Sequence, residues 1–307
     1  MGSLRLLRSM LFVPANNWRL IQSAKRGGPD AVILDLEDAV PIGEKETARW
    51  FVKDAILLLK EAGQNVTVRV NGLATGLTEE DLKFAIQEGV DSVMLPKSES
   101  KEDILELGRL MEKEEKEKEL AKISMIPLLE TAKGIFNAYE IATASDRVVA
   151  ISFGAADYMR DFGRSYFTMS PDESELLYAR SRLVVAARTA RVRAIDTPFL
   201  GLIIDKEGLV RESKIASSLG FKGKLCIHPI HIEPINQVFS PSEKDVDSAR
   251  KIVKEYEEAK ARGLGATSVE GRMVDEATYK MAKETLMISD MIAKRKGNPK
   301  PSRGKLL

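Results

Sequence analysis

Eight short apolar runs recur along the chain, each separated from the next by a stretch long enough for a helix, and this alternation constrains the fold more than any single motif. The runs are residues 9–14 (SMLFVP), 31–36 (AVILDL), 65–70 (NVTVRV), 92–96 (SVMLP), 123–129 (ISMIPLL), 148–153 (VVAISF), 193–197 (RAIDT) and 224–227 (KLCI). Most are rich in Val, Ile and Leu without clean alternation, as parallel strands covered on both faces should be. The segments at 44–62, 78–88 and 172–190 have helical periodicity, and Thr-Glu-Glu-Asp at 78–81 supplies an acidic first turn that suits a helix N-terminus. Strand then helix, eight times over, predicts a closed (β/α)8 TIM barrel. A doubly wound open sheet uses the same alternation, but it places a glycine-rich phosphate turn after its first strand, and residues 11–17 (LFVPANN) contain no glycine. The barrel is expected to occupy residues 1–240. Residues 241–307 are surplus to it and predict a helical extension, with helices near 242–261 and 275–293 joined at Gly263-Leu264-Gly265. The Lys/Glu run at 112–119 reads as a solvated helix face, and the basic, proline-broken end from Lys294 is expected to fray.

Composition narrows the partners. Lys and Arg number 47 against 46 Asp and Glu, so a net charge of +1 offers no global field for a nucleic acid. Hydrophobic residues make up 44% and charged residues 30%, enough for a large core beneath a charged surface. Cys226 is the single cysteine and has no intrachain disulfide partner. No run approaches the roughly 20 apolar residues that span a bilayer. The start carries no secretory pattern, and Leu6 breaks a myristoylation motif. The expectation is a cytoplasmic protein with no membrane or nucleic-acid partner.

The unusual polar residues fall at or just beyond the C-terminal ends of the proposed strands, the face of a barrel that does chemistry. They are Asn16 and Asn17; Asp35, Glu37 and Asp38; Arg69 and Asn71; Lys97; Glu130 and Thr131; Asp157; Asp196; and His228. Carboxylates with so few nitrogens favour a hard cation over zinc. Glu130 and Asp157, on neighbouring strands, are candidates to share an ion; the alternative is that both cap the helices that follow. Arg69 offers a planar fork suited to a carboxylate or to an oxygen gaining charge, or else forms a buried salt bridge with Asp35 or Glu37. Lys97 reads as an ion-pair partner of the acidic ring rather than a Schiff-base lysine. His228 is either a general base or a hydrogen-bonded structural residue.

Several motifs in order then carry a resemblance that runs from about Arg8 to about Leu286. They are RSMLFVP at 8–14, DAVILDLEDAVP at 30–41, VRVN at 68–71, LPK at 95–97, LETAKG at 129–134, FGAAD at 153–157 and IHP at 227–229. Together they resemble the HpcH/HpaI aldolase superfamily, and within it the branch of citrate lyase beta subunits and malyl- or citramalyl-CoA lyases. The resemblance implies a Mg²⁺-dependent barrel, with Mn²⁺ as the alternative ion, that makes or breaks a carbon–carbon bond beside an acyl thioester. It implies Glu130 and Asp157 as metal ligands, Glu130 and Arg69 at the substrate, and Asp35, Glu37 and Asp38 holding metal-bound waters or orienting Arg69. It implies coenzyme A held by Phe12, Pro14, Asn17, Ile227 and His228, and Asp275 as an acid/base supplied by a neighbouring protomer of a trimer or hexamer. Ala15 stands where the family usually has glycine, and Glu270 and Ala277 depart from the usual residues around Asp275.

The reaction so implied cleaves a malyl-, citramalyl- or citryl-CoA type thioester to acetyl-CoA or propionyl-CoA and a 2-oxo acid. Its barrier is dominated by charge developing on the thioester oxygen, where Arg69 is the expected donor. Two alternatives are carried forward: the lyase subunit of a citrate lyase complex, whose thioester sits on an acyl carrier protein, and a non-catalytic metabolite-binding barrel.

Overall fold

The computed structural model describes residues 6–170 and 172–297, so the end expected to fray lies largely outside the described residues. Residues 7–239 form one compact unit, and the chain from Ser240 belongs to another.

The first unit is a closed parallel barrel of eight strands in sequence order: β1 (Ser9–Pro14), β2 (Ala31–Asp35), β3 (Asn65–Arg69), β4 (Ser92–Leu95), β5 (Ser124–Leu129), β6 (Ala150–Phe153), β7 (Arg193–Asp196) and β8 (Gly223–Cys226). The ring closes where Met10 and Leu11 of β1 pair with Leu225 and Cys226 of β8. A Cβ at Gly223 would overlap the Leu7 carbonyl, so glycine is required for that closure. Helices α1 (Trp18–Gly27), α2 (Lys45–Glu61), α3 (Thr78–Ala85), α4 (Lys101–Glu117), α5 (Ala132–Phe136), α6 (Ala138–Thr143), α7 (Ala155–Asp161), α8 (Ser174–Ala190), α9 (Lys206–Leu219) and α10 (Ile232–Val238) follow the strands.

Strand parity explains why the runs did not alternate. Met10, Ile33, Met94, Ile126, Leu128, Ile195 and Leu225 fill the barrel interior, while Val32, Leu34, Val66, Val68, Val93, Ile151 and Phe153 pack outward in the larger core beneath the helices. Both faces are apolar because both are covered. The same parity decides where each polar strand end projects. Asp35 shares the parity of Ile33, and Arg69 that of the interior Thr67, whose hydroxyl lies 2.8 Å from the Ser92 hydroxyl. Asp196 has the opposite parity to Ile195, so it projects outward rather than into the barrel mouth.

Asp196 belongs instead to a buried charge cluster beneath α8 and α9. Arg180 Nε donates to Asp196 Oδ1 at 2.9 Å, Arg180 Nη2 to Glu212 at 3.0 Å, and Lys224 Nζ to Asp196 at 2.7 Å and Glu212 at 2.5 Å. Glu173 adds a third carboxylate 2.5 Å from Arg180 Nη1. Burial raises the pKa of Glu212, whereas at Asp196 the two cations outweigh burial and lower it. Removing one partner from such a cluster leaves uncompensated buried charge, so Lys224→Met is expected to cost about 3–5 kcal/mol in urea unfolding. A loss under about 1 kcal/mol would show that the cluster relaxes around the missing cation.

The second unit contains α11 (Glu243–Ala261), a hairpin of β9 (Thr267–Val269) and β10 (Arg272–Val274), and α12 (Glu276–Gly297). A capping box starts α11: Ser242 Oγ accepts from the Asp245 N–H at 3.1 Å, and Asp245 accepts from the Ser242 N–H at 2.9 Å. Stacked rings of Tyr256 and Tyr279, 4.8 Å apart, join α11 to α12. The sequence predicts only a glycine joint between these helices. The hairpin escaped notice because each strand has three residues and its left-handed turn is Glu270-Gly271 rather than Asn-Gly. Among the described residues no helix is long and apolar enough to cross a membrane.

Candidate active site

Register brings the first pair together. Asp35 and Arg69 are direct partners on β2 and β3. Arg69 Nε and Nη2 donate to the two oxygens of Asp35 at 2.7 and 2.6 Å, a bidentate fork. Asp35 also accepts the Glu37 N–H at 2.9 Å and the Ala39 N–H at 3.2 Å, so one carboxylate ties Arg69 to the turn after β2. Arg69 Nη1 lies 2.9 Å from Glu37 Oε2 but off the hydrogen-bonding direction, making that contact an ion pair without a hydrogen bond. The guanidinium sits 4.7 Å over the Phe12 ring. Burial opposes its charge, yet the Asp35 bonds and the acidic neighbours outweigh burial and raise its pKa. The salt-bridge alternative for Arg69 therefore describes its geometry, and the fork keeps further N–H bonds on Nη1 and Nη2.

Glu37 is held from the far side of the mouth, where Lys97 Nζ donates to its Oε1 at 2.5 Å. Burial raises the Glu37 pKa, and Arg69 and Lys97 work against that rise. Burial likewise disfavours the Lys97 ammonium, but the Glu37 bond and charge prevail and its pKa is raised. That is the behaviour of an ion-pair lysine, not of a nucleophilic one. Asp38 is exposed and acts on Glu37 and Lys97 through its charge; the contacts that orient Arg69 come from Asp35 and Glu37.

Sequence reasoning missed Lys45. Its buried ammonium donates to the Leu36 and Glu37 carbonyls at 2.6 and 2.7 Å and to Asn71 Oδ1 at 2.8 Å, locking the turn that carries Asp35 and Glu37. Asn71 is itself held by Asp81, which accepts its backbone and side-chain N–H groups at 2.7 and 2.6 Å. Burial lowers the Lys45 pKa, and the Asp35 and Asp81 charges resist. The available signal was a lysine in the first turn of α2, where the helix dipole disfavours a cation.

Glu130 directly follows β5, with 4% of its surface exposed. Its Oε1 accepts the backbone N–H of Lys97 at 2.9 Å, so it does not cap α5; Thr131 does that, accepting the Gly134 N–H at 3.1 Å. Gly154, after β6, lies so close that a Cβ there would stand 2.6 Å from both Cβ and Oε2 of Glu130. Burial, then the charges of Glu37 and Asp157, push the Glu130 carboxyl up to about 8. Asp157 sits in the first turn of α7, its side chain 19% exposed and 3.1 Å from Arg160 Nη2. A buried carboxyl whose proton affinity is raised by burial and by acidic neighbours is a donor that a hard divalent cation would relieve. Among the described residues no three His, Cys, Asp or Glu side chains cluster as a complete metal shell. A carboxylate pair leaves the remaining positions to water and substrate, as Mg²⁺ favours.

Phe12 and Pro14 lie on β1 and Asn17 just after it, while Ile227 and His228 follow β8, the strand paired with β1. Phe12 and Pro14 are half-buried, and Ile227 is 51% exposed. Asn17 caps α1 by accepting the Leu20 N–H at 3.1 Å. His228 is exposed, and its Nδ1 accepts the Ile230 N–H at 3.2 Å, which gives it the structural bond of the second reading. Asn16 bonds Glu44. In the second unit Asp275 starts α12, its Oδ1 accepting the N–H and hydroxyl of Thr278, both at 2.9 Å. Those bonds lower its pKa, so it is an ionised carboxylate at neutral pH.

Comparison with known proteins identifies the family. Residues 8–229 match the family described as HpcH/HpaI aldolase/citrate lyase. The chain is 38% identical over 292 residues to citrate lyase subunit beta of Leuconostoc mesenteroides subsp. cremoris, spanning 94% of this chain and 95% of that one. It is 33% identical over 304 residues to the L-malyl-CoA/beta-methylmalyl-CoA lyase of Cereibacter sphaeroides, spanning 93% and 95%. The crystal structure of protein CitE from Mycobacterium tuberculosis in complex with magnesium, acetoacetate and coenzyme A has a TM-score of 0.71 and 31% identity, covering 92% of this chain and 98% of that one. With the matched region spanning the whole barrel mouth and its relatives aligned over nearly their full length, the chain belongs to the HpcH/HpaI aldolase/citrate lyase family and is a lyase.

Proposed function

We propose that the protein is a Mg²⁺-dependent carbon–carbon lyase acting, in either direction, on a 3-hydroxyacyl-CoA thioester of the malyl, citramalyl or citryl type. The products of cleavage are acetyl-CoA or propionyl-CoA and a 2-oxo acid. The observation that carries this reading is the Glu130 carboxylate, 4% exposed and held by the Lys97 N–H, whose pKa is raised by burial and then by the charges of Glu37 and Asp157 against that of Arg69. Glu130 and Asp157 would hold the ion, which supplies Lewis-acid stabilisation to the hydroxyl and carboxylate oxygens of the substrate. Mn²⁺ would serve in its place.

In cleavage the substrate hydroxyl gives its proton to solvent, and the carbon–carbon electron pair passes to the thioester as an enolate. Protonation at carbon then completes acetyl-CoA. Arg69 stabilises the thioester oxygen as charge develops, with Asp35 and Glu37 keeping the fork from reorienting. Phe12, Pro14, Ile227, Asn17 and His228 supply an apolar and polar lining for the coenzyme A arm. Asp275, at the head of α12, takes the proton from carbon in the condensation direction as an ionised carboxylate in the site of a neighbouring protomer, and in cleavage it draws a proton from solvent and delivers it to the enolate carbon. The assembly is a trimer or hexamer and the location is cytoplasmic.

The decisive panel incubates purified protein and Mg²⁺ with acetyl-CoA or propionyl-CoA and glyoxylate, pyruvate or oxaloacetate, with products read by mass. A condensed acyl-CoA is expected from at least one pairing. The similarity to a citrate lyase subunit beta favours one other reading, a lyase subunit whose thioester sits on an acyl carrier protein; turnover only with a carrier-linked thioester would establish it. Inertness toward every thioester would leave a metabolite-binding barrel. Mixing Asp275→Ala chains with Glu130→Ala chains, each inactive alone, is expected to restore partial activity after subunit exchange. Near-normal turnover by Asp275→Ala alone would leave Asp275 as a helix cap only.

A further inference from the structure

Lys97 has a left-handed backbone, φ 49°, at the mouth of the barrel. A lysine gains nothing from this region by itself, and surrounding structure must hold it there. Glu119 and Arg191 share the sign of φ but close helices α4 and α8, where such a residue is ordinary. Lys97 closes no helix. It follows β4, between Pro96 and a Ser98 whose N–H donates to the Leu128 carbonyl of β5 at 3.1 Å.

What the conformation achieves is visible at its two ends. The backbone N–H reaches Glu130 Oε1 at 2.9 Å, and the side chain of the same residue turns the other way to reach Glu37 Oε1 at 2.5 Å. One residue thereby joins the turn after β2 to the end of β5. Gly154 walls the opposite side of the Glu130 carboxylate. We propose that Lys97 is a positioning residue that clips Glu37 to Glu130, its ammonium holding the left-handed turn and its N–H setting the direction of the Glu130 carboxylate toward the cation. The inference rests on the reading that Glu130 is a cation ligand.

Glycine separates this role from charge alone, because glycine adopts positive φ without steric cost. Lys97→Met removes the ammonium but keeps the disfavoured backbone, so the turn relaxes and the N–H leaves Glu130. Lys97→Gly also removes the ammonium, yet it retains the turn. The experiment titrates the full chain with Mn²⁺, reading free ion by electron paramagnetic resonance at fixed pH, for the parent protein, Glu130→Ala, Lys97→Met and Lys97→Gly. Lys97→Met is expected to weaken binding by about fivefold or more, and Lys97→Gly to stay within about twofold of the parent or to bind more tightly. Lys97→Ala takes the place of Lys97→Met if the latter fails to fold by circular dichroism. Loss of a nearby cation acting only through its charge would tighten Mn²⁺ binding in both variants, and a merely structural role would weaken both in step with their melting temperatures. Either result overturns the clip. Parent protein and Glu130→Ala binding Mn²⁺ alike would overturn the cation reading itself, and the clip with it.

Discussion

Glu130→Ala and Asp157→Ala are each expected to abolish binding of Mg²⁺ or Mn²⁺ at micromolar to millimolar concentrations and to remove turnover. The expectation follows from the placement of Glu130 directly after β5 and of Asp157 in the first turn of α7, which follows the neighbouring strand β6. Full activity in excess chelator, or metal binding untouched by both changes, would sink the assignment. Stability should move the other way. The Glu130 carboxyl is pushed up from 4.5 to about 8 by burial and by its acidic neighbours, so the ion-free fold holds its proton more tightly than the unfolded chain does. Its contribution is fully present below about 4.5 and is lost as pH rises through about 8. Glu130→Ala, measured by urea unfolding without metal, is therefore expected to show a smaller decline in stability between those pH values than the parent protein. An unchanged decline would mean that Glu130 is not the desolvated group it is taken to be.

Arg69→Ala and Arg69→Lys are both expected to lose on the order of a hundredfold or more in kcat, the scale for losing one donor to a developing oxyanion. Lysine cannot replace the fork: Nε and Nη2 of Arg69 span both oxygens of Asp35, and a point charge can satisfy only part of that arrangement. The two variants should differ in stability. Arg69→Ala leaves Asp35 and Glu37 buried without their common cation, at a cost of about 3–5 kcal/mol, whereas Arg69→Lys keeps the charge and most of the fold. Near-native kcat in a stable Arg69→Lys protein would reduce Arg69 to an ion-pair partner of Asp35.

The barrel was legible in the sequence because its signal is local: a buried parallel strand is a short apolar run wherever it occurs, and eight of them separated by helical periodicity leave few closed arrangements. The candidate site residues were legible for a related reason, since Glu130 and Arg69 stand at strand ends and motifs around them are contiguous. Parity was also available. Counting from Ile195 places Asp196 on the helix-facing side, and the expectation that put it with the mouth residues ignored that count.

The pairings were legible only in part: the sequence offered Arg69 a salt bridge with Asp35 or Glu37 and Lys97 an ion pair with the acidic ring, and the structure contains both. Nothing in the sequence points to the bond of the Lys97 N–H with Glu130 or to that of Lys45 with Asn71, because each contact joins residues far apart in the chain. Periodicity and motif order by themselves determined the closed barrel, its helical extension and the residue types at the mouth. Only the tertiary structure decided that Arg69 is gripped by Asp35, that Asp196 serves a buried charge cluster, and that a left-handed lysine ties two carboxylates together. The physical reason is that apolar periodicity is a property of neighbours along the chain, whereas the partner of a buried charge is whichever group strand register and desolvation bring within hydrogen-bonding distance.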